Sequence, residues 1–191
     1  VRGTRFDGQL AHEGHTSAGV LQGRVAVQAL ADVDQLTPSA LLRKHTGIAV
    51  SAQGQAGTVS PLLPAPTTQE LPALNEDAQW LNLPMPAWEQ AKGWRVRVSQ
   101  DAQGHHVLRS GQFTGPLARF AAVDDGNYFL HVRAIDAQGI SGIPATAPLR
   151  VKAHPVPPLV QTPAPAGVLA QGAGQLQCTA GDGVVQDRHQ V

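Results

Sequence analysis

The chain has 191 residues, of which 42% are hydrophobic but only 4% aromatic, and it contains 20 glycines and 15 prolines. This composition favours small β domains joined by proline-rich spacers over one large enzyme core. The formal net charge is zero and no run of cations stands out, which argues against a nucleic-acid partner, since counterion release requires clustered positive charge.

Residues 1–60 are predicted to form a first β unit. Short strands are expected at 1–6 and 45–50, and residues 20–27 are interpreted as two strand pieces around Gly23, because glycine inside a strand pattern marks a bulge or a tight bend. Residues 36–42 are predicted to form a helical turn, with Thr37 as its cap and Pro38 in the first helical position.

Two proline-rich stretches flank the next unit. Residues 61–75 carry four prolines among small residues, and proline removes hydrogen-bond donors and favours extended backbone, so this stretch is predicted to be a linker rather than a packed element. In residues 154–191, five prolines lie within the first twelve positions, and the rest is rich in glycine, alanine and glutamine. This stretch is predicted to be a linker followed by a truncated module or a disordered tail.

Residues 76–153 alternate apolar and polar side chains over several short strands, and turn signals recur about every ten residues, which is typical of an antiparallel β-sandwich. Strands are predicted from Trp80, over 94–100, near 107–108, over 117–123, over 128–135 and over 147–151. In the second of these, Arg95 and Arg97 lie on the face opposite the apolar residues. His131 and Arg133 similarly lie opposite Tyr128 in the fifth.

The sequence Asp-Ala-Gln-Gly ends two of these strands, at 101–104 and 136–139. A tandem repeat with this spacing of 35 residues is one interpretation, but the intervening strands are not duplicated. We therefore favour two strands of one domain that end alike.

Two stretches of the first unit, VRGTRF at 1–6 and AGVLQGRVAV at 18–27, resemble the second half of a FecR domain. Three stretches of the second unit are similar to the fibronectin type III-like module that follows FecR domains in some bacterial envelope proteins: LLPAP at 62–66, WRVRV at 94–98 and YFLHVRAIDAQG at 128–139. The resemblances imply a periplasmic or envelope-anchored protein, often paired with a peptidoglycan-binding LysM module, although no LysM motif is visible in this sequence.

Within the fibronectin-like resemblance, Met85 takes the position where such modules usually place a core tryptophan, with Trp88 nearby as a substitute. Tyr128 follows the turn at 124–127 and resembles a tyrosine corner, in which the hydroxyl bonds the backbone a few residues upstream. Trp94 is predicted to lie in the core, with an exposed sugar-stacking platform as the less favoured alternative.

Histidine and cysteine supply few metal-ligand patterns. His12, Glu13 and His15 are potential zinc ligands, but they miss the HExxH spacing, so a solvated loop is favoured. His105 and His106 are adjacent, and neighbours on a strand face opposite sides, so they are interpreted as polar strand-edge residues. Cys178 is the only cysteine and makes no internal disulfide.

Several carboxylates and serines are candidate catalytic groups. Asp101 and Asp136 are predicted to cap their turns through backbone N–H groups, since a calcium site requires more converging carboxylates. Asp124 and Asp125 could form an acid/base pair, but beside a turn glycine they more often face water. Ser110 and Ser141 lie outside any GxSxG elbow, and the isolated glycines form no phosphate-binding loop.

The predicted fold is mainly β: a partial FecR-like β unit followed by an immunoglobulin/fibronectin III-like antiparallel β-sandwich. The sequence predicts a non-catalytic periplasmic or cell-envelope module for sensing, scaffolding or ligand binding, with no catalytic, cofactor-binding or metal-binding residue. Its expected partner is an envelope protein or peptidoglycan, and no run approaches the ~18 apolar residues of a membrane span. The alternative is an accessory carbohydrate- or peptidoglycan-binding module of a cell-wall enzyme, with glycan retention that depends on Trp88.

Overall fold

The computed structural model describes residues 3–10, 14–29, 40–154, 160–162 and 177–178. The first β unit contains β1 (Arg5–Leu10), β2 (Thr16–Gln22), β3 (Arg24–Val27), β4 (Ala40–Arg43), β5 (Thr46–Val50) and β6 (Ser60–Pro61). Four of these strands form an antiparallel sheet in the order β1-β2-β5-β6, and β3 pairs with β4.

At the centre of the first unit, β2 continues into β3 and β4 continues into β5. These four strands form one long hairpin with a bend in each arm. Gly23 turns one strand with a φ of 84°, and His45 turns the other with a φ of 63°. A side chain at position 23 would also meet Thr4, whose Oγ1 lies 2.7 Å from the position of an added Cβ. The predicted bend at Gly23 is therefore confirmed, and glycine is needed there for both space and conformation.

The helical turn predicted over 36–42 is wrong for its described part. Ala40, Leu41 and Leu42 belong to β4, while Leu36 to Ser39 lie outside the described residues. Leu42 is fully buried with Val20 and Ile48 in the core of the first unit. Pairing with β3 and burial of Leu42 override the weak helical signal from Thr37 and Pro38.

The second unit is an immunoglobulin/fibronectin III-like β-sandwich. Its strands are β7 (Leu74–Asn75), β8 (Trp80–Pro84), β9 (Gly93–Ser99), β10 (Val107–Phe113), β11 (Leu117–Ala121), β12 (Gly126–Ile135) and β13 (Ala145–Val151). One layer has the order β10-β9-β12-β13-β7, and β8 pairs with β11 in the other layer. The inward side chains of both layers form one core, as the alternation in the sequence predicts.

Several residues of 61–75 are buried, which corrects the expectation that nothing in this stretch is packed. Leu62 is buried, Leu71 belongs to the sandwich core, and Asn75 is buried in β7, which pairs in parallel with β13. A short 3-10 helix, Thr68–Glu70, lies between them. The prolines keep the segment extended, but Leu71, Leu63 and Ala65 pack in or against the sandwich core. The division of the chain at 60 and 76 remains a prediction.

Beyond residue 154 the structure describes β14 (Val160–Thr162) and β15 (Gln177–Cys178), which pair antiparallel. The remainder of the predicted linker and tail lies outside the described residues. Within the ranges given above, no helix has the length and hydropathy required to cross a membrane.

Candidate binding cleft between the two β units

Strand β1 of the first unit lies against the outward face of the five-stranded layer of the sandwich. The Oδ2 atom of Asp7 accepts hydrogen bonds from Arg95 Nη1 at 2.7 Å and from Arg133 Nη1 at 2.9 Å. The side chains of Asp7, Arg95 and Arg133 are only 22%, 15% and 12% exposed. One carboxylate therefore joins two arginines that adjacent strands, β9 and β12, present side by side.

Further hydrogen bonds fix the orientation of both arginines. Arg95 also donates through Nη2 to Gln9 Oε1. Arg133 donates through Nε to the carbonyl oxygen of Gly142 at 2.7 Å and through Nη2 to that of Ser141 at 3.2 Å. Burial lowers the pKa of Arg133, with Asp7 acting in the opposite direction, so the ion pair offsets part of the cost of burying this guanidinium.

The apolar part of the junction depends on close approach at Gly47. An added Cβ at Gly47 would lie 2.6 Å from Ile140 Cγ2, 2.9 Å from Leu62 Cδ2 and 2.9 Å from the carbonyl oxygen of Ala18. Leu62 and Ile140 are both buried. The two units thus share a packed apolar contact beside the polar one.

A cleft of about 170 Å³ opens where β1 meets the sandwich. Among the described residues, its charged lining consists of Arg5 from the first unit, three arginines from the sandwich (Arg95, Arg97 and Arg133) and one carboxylate, Asp7. Four arginines against one aspartate leave a formal excess of three positive charges in a chain whose net charge is zero. The cleft is therefore a local site of positive potential.

His131 lies in the lining of the cleft, and its ring is held at both nitrogens. Nε2 is 2.7 Å from Ser99 Oγ, and Nδ1 is 3.0 Å from Thr146 Oγ1. The Ser99 hydroxyl donates to the carbonyl oxygen of Asp101, so Nε2 carries the ring proton and the ring is not a base for Ser99. Burial, with Arg97 and Arg5 adding to it, lowers the pKa of His131, which favours the neutral ring.

The turn-capping prediction for Asp101 and Asp136 is confirmed. Asp101 accepts backbone N–H bonds from residues 103, 105 and 106, and these bonds, that of His106 foremost, lower its pKa to about 2. Asp136 accepts those of residues 138 and 140 at 2.9 and 2.8 Å. The glycines that complete the two turns, Gly104 and Gly139, have φ values of 74° and 77°.

Asp124 and Asp125 also have structural roles. The hydroxyl of Tyr128 donates to the carbonyl oxygen of Asp124 at 2.8 Å, which confirms the tyrosine-corner prediction. The carboxylate of Asp125 accepts the backbone N–H bonds of Ala153 at 2.9 Å and of His154, and these bonds lower its pKa. Asp125 thus anchors the chain where it leaves β13 instead of simply facing water.

The structure describes His105 and His106 fully but the group at 12–15 only in part. His12 and Glu13 lie outside the described residues, and His15 is exposed. His105 and His106 both direct Nδ1 toward the carboxylate of Asp101, at 3.6 and 3.4 Å, so the prediction that they face opposite sides is wrong. They lie in the turn before β10, where strand alternation does not apply. Within the described ranges, no group of three or more His, Cys, Asp or Glu side chains could hold a metal ion.

Neither candidate serine is paired with a base in the described part of the chain. Ser110 is exposed on β10. Ser141 is buried, and its hydroxyl has no hydrogen-bond partner in the described part of the chain, whereas a serine nucleophile needs a base within hydrogen-bonding distance.

The tryptophans divide into core and surface residues. Trp94 is 4% exposed, as predicted, and its ring centroid lies 5.6 Å from that of Trp88, which is half-buried against the core. Met85 is buried in the same core. Trp80 is 41% exposed on β8, with the guanidinium carbon of Arg119 5.0 Å from its ring centroid. The exposed tryptophan is therefore Trp80, not Trp88.

The cleft was not predicted from the sequence. Strand alternation placed Arg95 and Arg97 on one face of their strand and Arg133 on one face of another, but nothing marked Asp7 as their partner, since 88 residues separate Asp7 from Arg95. The useful signal was the presence of three arginines on the outward face of two strands, a costly arrangement unless a carboxylate or a ligand meets them.

Comparison with solved structures finds fibronectin type III-like modules. A fibronectin III-like protein from Clostridium thermocellum is 22% identical to this chain and has a TM-score of 0.36. The match spans 46% of this chain and 90% of that protein's chain. Fibronectin(III)-like modules of Clostridium thermocellum CbhA are 17% identical over 44% of this chain and 98% of their own, with a TM-score of 0.31. The FN1-FN3 domains of chicken CNTN1 are 14% identical over 82% of this chain and 68% of their own, with a TM-score of 0.38.

No family model and no curated protein matches the chain. The TM-scores lie below 0.5, so the sandwich assignment rests on the strand order, the shared core of the two layers and the hydrogen bond of Tyr128.

Proposed function

We propose that the chain is a non-catalytic binding and scaffolding module of the bacterial cell envelope, in which a FecR-like unit and a fibronectin III-like sandwich are held in a fixed relative orientation. The observation that carries the proposal is the junction, where Asp7 joins Arg95 and Arg133 beside the close contact of Gly47 with Ile140. Two units joined only by a flexible tether would need neither contact.

The resemblance of residues 1–6 and 18–27 to a FecR domain supports a periplasmic location, with an envelope protein or peptidoglycan as the partner. Fractionation of the native host, with the natural gene product detected by antibody, tests the compartment. We expect the protein in the periplasmic or envelope fraction, and recovery in the cytoplasm would contradict the proposal.

The scaffolding role is tested by comparing the full chain with its Gly47→Ala variant as bait for purified envelope proteins. A scaffold that presents both units in one orientation binds its partner more weakly when the junction is disturbed, even though the sandwich remains folded. Gly8→Ala is the matched control, because nothing lies within 4 Å of a Cβ added there. Equal binding by all three proteins would show that the orientation of the units does not matter.

An accessory carbohydrate-binding role is the second candidate, and one surface favours it. On the outward face of the β8–β11 pair, exposed Trp80 and Arg119 lie beside Asn82, whose Oδ1 accepts a hydrogen bond from Arg119 Nε at 2.9 Å. An aromatic face beside amide and guanidinium groups suits a sugar ring. Co-sedimentation with purified peptidoglycan that is lost in Trp80→Ala but kept in Val107→Ala, a change at another exposed apolar residue, would support this role. Equal sedimentation of both variants and the wild type would exclude it.

A further inference from the structure

We propose that the cleft between the two units binds the phosphoryl group of a ligand, and that this ligand bridges the units. The inference rests on the proposed function, because it specifies the ligand class of a binding module. Its basis is the excess of three positive charges in a cleft of about 170 Å³.

Two of the four arginines in the cleft are available for a ligand. Arg95 and Arg133 donate to Asp7 and to other protein oxygens. Arg5 and Arg97 are exposed, and neither has a hydrogen-bond acceptor among the described residues. They also come from different units, Arg5 from β1 and Arg97 from β9, so an anion held by both would connect the first unit to the sandwich.

The carboxylates around the cleft are already engaged by other groups. Asp7 is held by Arg95 and Arg133, and Asp101, whose charge also acts on His131, accepts backbone N–H bonds of its own turn. The pKa of His131 is lowered by burial, so the neutral ring is favoured, and this ring forms part of the wall. Among the described residues, no carboxylate is hydrogen-bonded to Arg5 or Arg97, so their charge is left for a ligand to neutralise.

A phosphoryl group fits this demand better than a single carboxylate. A phosphate monoester carries about −1.5 to −2 charges at pH 7 and three acceptor oxygens, whereas a carboxylate carries about one charge. The planar guanidinium group of arginine can donate two parallel hydrogen bonds to phosphate oxygens. A tetrahedral anion can also accept hydrogen bonds from two guanidinium groups that approach from different sides. A ligand that binds only the docked arrangement also stabilises that arrangement by mass action.

The test is an NMR titration of the full chain with inorganic phosphate at about pH 7.5, with ionic strength held constant by sodium chloride. The amide of Gly104 and the imidazole of His131 report on the cleft, because both residues line it. We expect a saturable shift of both signals, with affinity weakened about tenfold or more in Arg5→Gln and in Arg97→Gln. Arg150→Gln is the matched control, since Arg150 is exposed on the same layer but outside the cleft lining, and its affinity should match that of the wild type.

Free and esterified phosphate are distinguished by repeating the titration with glycerol phosphate. Tighter binding of the ester assigns a phosphate linked to a larger molecule, and equal binding assigns the free anion; both results support the proposal. Three results overturn it. The first is no saturation at about 50 mM phosphate, a concentration that nearly saturates a site with a millimolar dissociation constant. The others are equal weakening of phosphate binding by Arg150→Gln and Arg97→Gln, and binding of acetate as tight as that of phosphate. None of these results would alter the fractionation or the bait experiments, so the two proposals can fail separately.

Discussion

Replacing Asp7 by asparagine removes the carboxylate that joins Arg95 and Arg133 while keeping the shape of the side chain. An exposed ion pair contributes at most about 1 kcal/mol, and breaking a buried pair costs about 3–5 kcal/mol. The three side chains are 22%, 15% and 12% exposed, which places the pair between these limits. We expect Asp7→Asn to lower the free energy of unfolding by about 2 kcal/mol, or the melting temperature by about 4–8 °C for a chain of this size.

The assay is urea unfolding followed by tryptophan fluorescence, because all three tryptophans lie in the sandwich whereas Asp7 lies in the first unit. A shift of the fluorescence transition therefore reports coupling across the junction. Asp124→Asn removes the same charge from an exposed turn and should change stability by less than about 0.5 kcal/mol. If Asp7→Asn behaves like Asp124→Asn, the ion pair does not hold the units together.

Three further predictions concern single side chains. Tyr128→Phe removes the hydrogen bond to the carbonyl oxygen of Asp124 and should cost about 1 kcal/mol in urea unfolding, and an unchanged midpoint would contradict the tyrosine corner. The pKa of Asp101 is lowered from 3.8 to about 2 in the folded protein. The stability that its carboxylate contributes is therefore complete above the pKa of the unfolded state and is lost as the pH falls through the pKa of the folded state. The melting temperature of the wild type should accordingly fall more steeply below about pH 4 than that of Asp101→Asn, and parallel curves would contradict this. Gly47→Ala forces a contact of 2.6 Å with Ile140 and should cost about 1–3 kcal/mol, whereas equal stability to Gly8→Ala would refute the close junction.

The sandwich was largely predictable because its signals are local. The alternation of apolar and polar residues along β9 and β12 predicted which side chains face inward. The Asp-x-x-Gly turns predicted where β9 and β12 end, because an aspartate carboxylate and a glycine with positive φ stabilise such a turn wherever it occurs. Tyr128 was identifiable because its partner, Asp124, lies only four residues upstream.

Features that depend on distant partners were missed. Leu42 carries a weak helical signal, and only its pairing with β3 and its burial against Val20 make it a strand residue. Leu71 follows a proline-rich stretch that suits a linker, yet it fills the sandwich core. The cleft depends on Asp7 meeting Arg95 across 88 residues, and no local pattern encodes that contact.

The account depends most on the two units forming one rigid body. Backbone ¹⁵N relaxation of the full chain measures this directly by giving a rotational correlation time for each unit, from β2 and β5 in one and from β9 and β12 in the other. The junction predicts a single correlation time for all four strands. A shorter correlation time for β2 and β5 would show that the first unit reorients independently and would contradict the scaffold.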